Sequence, residues 1–553
     1  MYKIATRGSQ LALAQSGMIK DMLRQRSGFE AELQIVKTEG DRIKDIPLSQ
    51  VSGAGFFTKE IEQSLIDLQT DIAVHSLKDL PLEQPHGLRI AAIPERENFQ
   101  EALLTKREKI DRDKPLFLKQ GLTIGTSAIR RQAQIRSLRP DLEVRELRGN
   151  ITTRLDKLRR GEYDAIMIAN AGLLRLGVDI DDLEKIVLDI DMIIPSPAQG
   201  ALAVETRSAD LEVYEAVVRL NHIETQMAVW AERNLLQLCG GGCHLPLGAI
   251  VTQPGDEWEL TAYWSFQLPD KSAESVRAEG SSSNLHDLIR DGFAQIKSRE
   301  MKARLKFHGH DNDSKRKLLI TRSPQKSQPL ISKLALRDVE TVPFPVNKLV
   351  PLENPPGWDG IKSRLDDYDM LIFTSANSIN YFFELMHKEG VDPKFARDKL
   401  VAVVGEKTAM EAVRFESKKV IVSPVATGAG LASHLKSAFA GKPLKALLPV
   451  SRKAPTKIQE TLEISGWQIE RLEIYDSMPE EKENLPEVDP SEIDYACFTS
   501  PLTVEYLRAY IDIPDEWIVI SIGPSTSAKL EECGLRVDWE LPNSNLEWLW
   551  QVL

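Results

Sequence analysis

Short apolar runs of strand length alternate along the chain with longer stretches whose apolar residues recur at helical spacing. Asp71-Ile72-Ala73-Val74, Leu122-Thr123-Ile124-Gly125, Ala165-Ile166-Met167-Ile168 and Met370-Leu371-Ile372-Phe373 read as buried strands. A strand–helix rhythm of this kind predicts an α/β fold. It breaks once, between about Lys302 and Lys317, where His308-Gly309-His310-Asp311-Asn312-Asp313-Ser314 and a Lys-Arg-Lys run precede the strand at Leu318-Leu319-Ile320; the main boundary is placed there. Beyond it a motif recurs. Asp369–Ala376 aligns without a gap on Asp494–Pro501, and each copy is followed by a strand, a glycine turn and a helix start, at Val403–Ala409 and Ser521–Thr526. Two similar doubly wound domains are the expectation, against chance recurrence of a common unit.

Composition adds limits. A chain of 553 residues exceeds one hydrophobic core and predicts three to five domains. Its 42% hydrophobic and 27% charged residues suit a folded globular protein. A net charge of -12 argues against nucleic acid as a partner but leaves room for local arginine clusters that hold small anions. The N-terminus carries no secretory pattern and no apolar run reaches the ~18 residues of a membrane span, so a cytoplasmic protein without a membrane partner is expected. Four cysteines, Cys239, Cys243, Cys497 and Cys533, are too few and too scattered for a disulfide framework.

Candidate chemistry gathers where strands give way to helices. Arg7 and Ser9 follow the strand Lys3–Thr6; Thr126, Ser127, Arg130 and Arg131 follow Leu122–Gly125; Arg148, Gly149 and Arg154 follow Glu143–Leu147; Arg175 lies in Gly172–Gly177. Free amides at a helix start and a guanidinium beside them recognise carboxylate or phosphate. A single such arginine is more often a solvated surface residue; several together point to a ligand with several anionic groups. The segment His75-Ser76-Leu77-Lys78-Asp79-Leu80-Pro81 lies at the C-terminal end of a buried strand, where open α/β sheets bind ligands. Asp79 beside Lys78 is open to two readings: a surface ion pair, or a carboxylate that steadies a developing cation with a lysine that binds a substrate carboxylate.

In Leu238-Cys239-Gly240-Gly241-Gly242-Cys243-His244-Leu245-Pro246, three glycines put Cys243 on an open turn suited to covalent attachment. An inert glycine-rich loop is the plain alternative. Haem attachment wants a two-residue spacing, and zinc wants ligands that nothing nearby supplies, so no metal is implied.

Six strings occur in order: Ile4–Leu13, His75–Pro81, Gly125–Arg131, Leu147–Leu155, Pro197–Gly200 and Gly241–Pro246. Together they resemble porphobilinogen deaminase, also called hydroxymethylbilane synthase, over nearly all of residues 1 to 305. The resemblance implies two domains like those of a bilobal periplasmic binding protein, at 1–95 plus 197–217 and 96–196, and a small α+β domain at 218–305 that carries the cofactor cysteine. It further implies a dipyrromethane primer held by a thioether to Cys243, Asp79 as the central catalytic carboxylate assisted by Lys78, and Arg7, Ser9, Lys78, Thr126, Ser127, Arg130, Arg131, Arg148, Arg154 and Arg175 as partners of the acetate and propionate groups. Each porphobilinogen brings two carboxylates, so a growing chain accumulates negative charge that arginines must neutralise. This sequence departs from the family at Ala128, where a second serine is common, and at Ala54, where a lysine is common. Cys239 has no assigned role and is read as structural.

The C-terminal half offers hydroxyls and amides at turns rather than an acid–base pair: Thr321-Arg322-Ser323, Thr374-Ser375-Ala376-Asn377, Gly405 with Thr408, and Thr499-Ser500-Pro501. They read either as helix N-caps or as the lining of a cleft that receives carboxylates. In this order, with Glu473-Ile474-Tyr475 and Pro479, they resemble uroporphyrinogen-III synthase over about 316 to 553. The resemblance implies substrate binding by Thr321, Arg322, Thr374, Ser375, Asn377, Thr408, Thr499 and Ser500, and a role for Tyr475 in expelling the hydroxyl of the linear tetrapyrrole. A linker at 306–316 would join the halves, with synthase domains at 317–345 plus 480–553 and at 346–479. The implied activity is bifunctional, with porphobilinogen and hydroxymethylbilane as substrates and no obligatory protein partner. Two alternatives stand beside it: a deaminase with a non-catalytic C-terminal interaction domain, and a polycarboxylate-binding module.

Overall fold

The computed structural model describes residues 2–38, 58–242, 245–310, 315–417, 419–424 and 427–553. Cys243, Ala54 and residues 311–314 of the expected linker lie outside them. The chain divides into two compact units: Met1–Arg316 with Lys333–Val339 and Trp539–Leu553, and Lys317–Ser332 with Glu340–Asp538.

The first unit holds three sheets. In the first, the strands run in the order Ala31–Ile35, Tyr2–Thr6, Ile72–Ser76, Leu202–Arg207, Leu88–Ala92. The first three are parallel, and Leu202–Arg207 is antiparallel to both of its neighbours. The second sheet repeats the plan with Glu143–Arg145, Thr123–Gly125, Ala165–Ala169, Glu101–Thr105 and Glu184–Leu188, where Glu101–Thr105 is the antiparallel insertion. The chain thus leaves the first sheet after Ala92, builds the second and returns at Leu202. Fully apolar strands such as Ala165–Ala169 follow from this arrangement, because helices cover both faces of a parallel sheet. On one face of the first sheet Ile4, Ile72 and Val74 pack with Ile19 and Leu23 of the helix Gln10–Ser27; on the other, Ala5 and Ala73 pack with Ile61 and Leu65 of the helix Lys59–Ile66. The third sheet is an antiparallel meander of Leu247–Thr252, Trp258–Gln267 and Ala273–Ser282, packed by the helices Ile223–Leu238 and Leu285–Phe307.

That last helix runs into the expected linker. The polar stretch from Lys302 begins inside it, with Met301 and Leu305 buried four residues apart while Lys302 and Lys306 face water. A solvated helix face has the same composition as a linker. The segment expected as linker at 306–316 loses its first two residues to the helix and its last to the strand Arg316–Ile320.

The second unit has parallel sheets. Leu318–Ile320 pairs with Tyr495–Cys497, and Tyr495–Phe498 with Ile518–Ser521. A six-stranded sheet runs Asn347–Pro351, Gln468–Pro479, Lys445–Ser451, Met370–Phe373, Leu400–Val403, Lys419–Val422, parallel throughout except for its first strand. The repeated motif forms the same local unit twice. Met370–Phe373 is followed by the helix Ala376–Lys388 with Ser375 as its cap, and Tyr495–Phe498 by Pro501–Arg508 with Ser500 as its cap.

Candidate functional sites

The strand Ile72–Ser76 ends in a single 3-10 turn, Leu77–Asp79. Leu77 is buried and its amide bonds the Ala201 carbonyl at 3.0 Å, which pins the turn and leaves Asp79 exposed at its end. Lys78 points inward and donates to the Gln199 side-chain oxygen at 3.2 Å. Burial lowers the pKa of its ammonium, as do Arg131 and Arg130, while Asp79 and Glu101 act in the opposite sense. Gln199 is itself buried and donates to the Phe99 carbonyl at 2.9 Å. It comes from the Pro197–Gly200 turn, whose shape depends on Gly200: φ there is +87°, and a Cβ would stand 2.4 Å from the Glu97 carbonyl oxygen.

Arg7, Ser9 and Asp79 line one pocket of about 110 Å³, with Gln15, Thr58, His75 and Ser76. Ser9 caps the helix Gln10–Ser27, accepting from the Ala12 amide at 3.3 Å, so its hydroxyl stands at a helix N-terminus beside Arg7. Gln15 donates to Ser76 at 3.0 Å, and His75, on the opposite face of its strand, meets buried Glu205 at 3.2 Å.

The predicted arginines fall into different settings. Arg130 and Arg131 open the helix Ile129–Leu138 and are buried around Glu101, which has no exposure. Arg131 donates to both Glu101 oxygens at 3.0 and 2.7 Å, Arg130 to one at 2.7 Å, and each also holds a carbonyl, Met167 and Ile194 respectively. Burial opposes the Glu101 charge, but the two guanidiniums prevail and hold its pKa at about 2. Arg154 donates to the Gly149 carbonyl at 2.7 Å; burial and then Arg131 lower its pKa to about 10 against the pull of Asp79. Arg148 pairs with Glu146 at 2.9 Å. Arg175 donates to the Gly200 carbonyl at 2.6 Å, and its Nε is buried without a hydrogen-bond partner. Thr126 is buried, and Ser127 donates to the Leu147 carbonyl at 2.6 Å, tying two turns together. Ala128 occupies the N-cap and supplies no side-chain bond there. Asp79, Lys78, Arg130, Arg131 and Arg154 therefore act on one another electrostatically, whereas Arg148 pairs with the surface carboxylate of Glu146.

Glu101 and Gln199 organise this cluster and were not singled out by sequence. A lone acid opening an otherwise apolar strand, Glu101-Ala102-Leu103-Leu104, was the available signal for the first.

The helix Ile223–Leu238 leads to Cys239, a buried thiol whose pKa burial pushes up to about 12, consistent with an inert, packed side chain. Gly240, Gly241 and Gly242 all have positive φ, so this turn requires glycine.

In the second unit the predicted residues form two groups, and among the described residues no hydrogen bond joins them. Thr321 is buried, accepts from the Thr499 amide at 3.0 Å and lies 3.1 Å from the Thr503 hydroxyl; Ser500 caps its helix by accepting from the Thr503 amide at 3.4 Å. Burial lowers the pKa of Arg322 beside them. In the other group, Ser375 accepts from the Ser378 amide at 3.1 Å and lies 3.3 Å from the Tyr475 hydroxyl. Tyr475 is 7% exposed and stacks on Tyr381 with ring centroids 4.7 Å apart. Thr374 and Asn377 are half-buried on the same turn, and Thr408 is buried just after Gly405.

Fold and sites define an α/β protein whose strand ends gather arginine, lysine and hydroxyl groups, equipment for polyanionic small molecules. Residues 2–215 match the porphobilinogen deaminase, dipyromethane cofactor binding domain, and residues 328–551 match uroporphyrinogen-III synthase HemD. The chain is 44% identical over 285 residues to porphobilinogen deaminase of Trichlorobacter lovleyi, covering 51% of this chain and 88% of that one. To the Brevibacillus brevis porphobilinogen deaminase it is 40% identical over 313 residues, 52% of this chain and 98% of that one. A mutant uroporphyrinogen III synthase from Thermus thermophilus aligns at 16% identity and a TM-score of 0.32 over 42% of this chain and 96% of that one. The chain belongs to the porphobilinogen deaminase family and carries a uroporphyrinogen-III synthase domain in its C-terminal half.

Proposed function

We propose that the chain is a bifunctional enzyme of tetrapyrrole synthesis: it condenses four porphobilinogen molecules, with loss of ammonia, into hydroxymethylbilane, then cyclises that product with inversion of its last ring to uroporphyrinogen III. The first sheet, the second sheet and the antiparallel meander are read as the two lobes and the cysteine-bearing domain of the deaminase. The observation that carries the deaminase reading is Asp79: an exposed carboxylate at a strand end, in the field of Lys78 and Arg154.

The residues present suit a dipyrromethane bound through Cys243. Two pyrroles carry four carboxylates, and Arg175 offers a buried Nε without a partner, an orphaned donor of the kind a carboxylate fills. Arg7, Ser9, Lys78, Arg148, Arg154 and Arg175 would hold the acids, with Thr126 and Ser127 shaping the turn beside them. Arg130 and Arg131 contribute positive potential while anchored on Glu101. When bound, the dipyrromethane supplies the nucleophilic pyrrole on which the chain grows.

Asp79 stabilises the positive charge that develops as ammonia leaves porphobilinogen, and it orients pyrrole N–H groups by accepting hydrogen bonds. Lys78, fixed by Gln199, faces the substrate acids. In the synthase half, Thr321, Arg322, Thr374, Ser375, Asn377, Thr408, Thr499 and Ser500 are read as substrate contacts, and the Tyr475 hydroxyl as the donor that assists departure of the substrate hydroxyl as water. The substrate is already reactive, so orientation carries most of the specificity.

Two measurements on the full chain test this. Products made from porphobilinogen alone are resolved by isomer: isomer III is expected, and isomer I alone would mean that the C-terminal half is not a working synthase. Intact mass of protein from cells that supply porphobilinogen should show a dipyrrole adduct that is lost in Cys243→Ser. An adduct that survives that substitution would refute the anchor. Asp79→Asn should keep the adduct and lose about 10²–10³-fold in turnover.

A further inference from the structure

We infer that Arg233 is a positioning residue for the condensation: it grips the Leu77–Pro81 turn and sets where Asp79 stands. The inference rests on the roles proposed above for Asp79 and Cys243.

Arg233 lies in the helix Ile223–Leu238, five residues before its end. Its NH1 donates to the Leu77 and Leu80 carbonyls, each at 3.0 Å, and its NH2 to the Pro81 carbonyl at 2.6 Å. These acceptors bracket Asp79 in sequence. The far end of the turn is also held by its own closing bond, from the Leu80 amide to the Leu77 carbonyl at 3.3 Å, by Gln84 donating to the Pro81 carbonyl at 3.0 Å, and by the packing of Leu80 with Ala198 and Val229. Among the described residues, Arg233 alone bonds all three of these carbonyls from one rigid group. A guanidinium presents several donors in one rigid plane and can hold three carbonyls in a set geometry, which a lysine ammonium on a flexible stem does less well.

The neighbouring residue grips the facing turn. Glu232 accepts from the Ala198 amide at 2.6 Å and takes Arg96 through two bonds, at 2.6 and 3.0 Å. Arg96 Nε donates to the Gln199 carbonyl at 2.7 Å, and Gln199 receives Lys78. Consecutive residues of one helix thus hold the turn that presents Lys78 and Asp79 and the turn that presents Gln199. The helix Ile223–Leu238 is therefore bonded to the Asp79 segment through Arg233 and to the Pro197–Gly200 turn through Glu232, so the placement of Asp79 beside Lys78 and Gln199 is set by local contacts.

The test uses Arg233→Ala and Arg233→Lys in the full chain, with intact mass, thermal midpoint, kcat and KM for porphobilinogen, and the masses of covalent adducts after a substoichiometric pulse of porphobilinogen. Both variants should carry the dipyrrole adduct and keep KM within about twofold, while kcat per loaded protein falls about 10–100-fold in Arg233→Ala, the scale of a small misplacement of reacting groups. Partly elongated adducts should accumulate, and ethylguanidinium should raise turnover of Arg233→Ala without affecting the parent protein. Arg233→Lys should lose several-fold in kcat at a midpoint near that of the parent. Parent-like kcat per loaded protein in Arg233→Ala overturns the inference. If Arg233→Ala does not fold, parent-like kcat in Arg233→Lys overturns it. Apoprotein in the variants alone also overturns it, in favour of a role in primer assembly. A parent protein without adduct, or an adduct that survives Cys243→Ser, refutes the underlying reading instead.

Discussion

Arg131 and Glu101 meet through two hydrogen bonds, at 3.0 and 2.7 Å, with the Glu101 carboxylate wholly removed from water and a second guanidinium, that of Arg130, 2.7 Å away. Breaking a buried pair by removing one partner leaves charge uncompensated, so Glu101→Gln should cost about 3–5 kcal/mol of stability in the first unit. The pH dependence has a definite sign. The folded carboxyl has a pKa of about 2 against an ordinary 4.5, so its contribution is complete above about pH 4.5 and is lost as pH falls toward 2. Urea denaturation of parent and variant from pH 7 to pH 3 should show the gap between them narrowing below pH 4.5. A constant gap would mean that Glu101 is not held ionised by its arginines.

The same pair shows where sequence is informative and where it is not. The cationic character of Arg130 and Arg131 at a helix start was legible, because the preceding strand and the helical spacing are local patterns. Their partner was not. Glu101 is brought to them by sheet order, which inserts Glu101–Thr105 antiparallel beside Ala165–Ala169, and nothing in the spacing of thirty residues encodes that neighbour. Asp79 was legible for the converse reason: an apolar run passing into Lys-Asp-Leu-Pro marks a strand end by itself. Arg233 resembled any polar residue on an amphipathic helix, since its acceptors are backbone carbonyls more than 150 residues away in sequence.

Gly200 should not tolerate a side chain. Its φ of +87° already disfavours one, and the 2.4 Å approach to the Glu97 carbonyl is to backbone that cannot swing aside. Gly200→Ala should lose at least about 2 kcal/mol, the range for a strained backbone position. Because Arg175 donates to the Gly200 carbonyl and Gln199 receives Lys78, deaminase turnover should fall in the protein that remains folded. A thermal midpoint within a degree of the parent would show that the turn can relax.

The thiols should separate by reactivity. Burial pushes both Cys239 and Cys497 up to about 12, so neither supplies appreciable thiolate near neutral pH. In folded protein treated with iodoacetamide at pH 8, peptide mapping should find both unmodified, with labelling only after denaturation. Cys239→Ala should retain the dipyrrole adduct and deaminase turnover. Loss of the adduct in that variant would move the anchor away from Cys243.

Tyr475 combines a nearly buried ring with a hydroxyl aimed at a helix cap. Burial raises its pKa, and the Ser375 contact at 3.3 Å only partly offsets this, so the phenol stays protonated, able to donate, across the neutral range. Stacking on Tyr381 fixes the ring independently of the hydroxyl. Tyr475→Phe should therefore preserve the fold, with a loss of no more than about 1 kcal/mol for one weak hydrogen bond. Its effect should appear in the product: slower enzymatic closure lets the linear tetrapyrrole close on its own, so the share of uroporphyrinogen I formed from porphobilinogen should rise while consumption of porphobilinogen is unchanged. That split separates the two activities within one chain. A parent-like isomer ratio at a parent-like rate would leave Tyr475 as a packing residue and move the donor elsewhere in the synthase half.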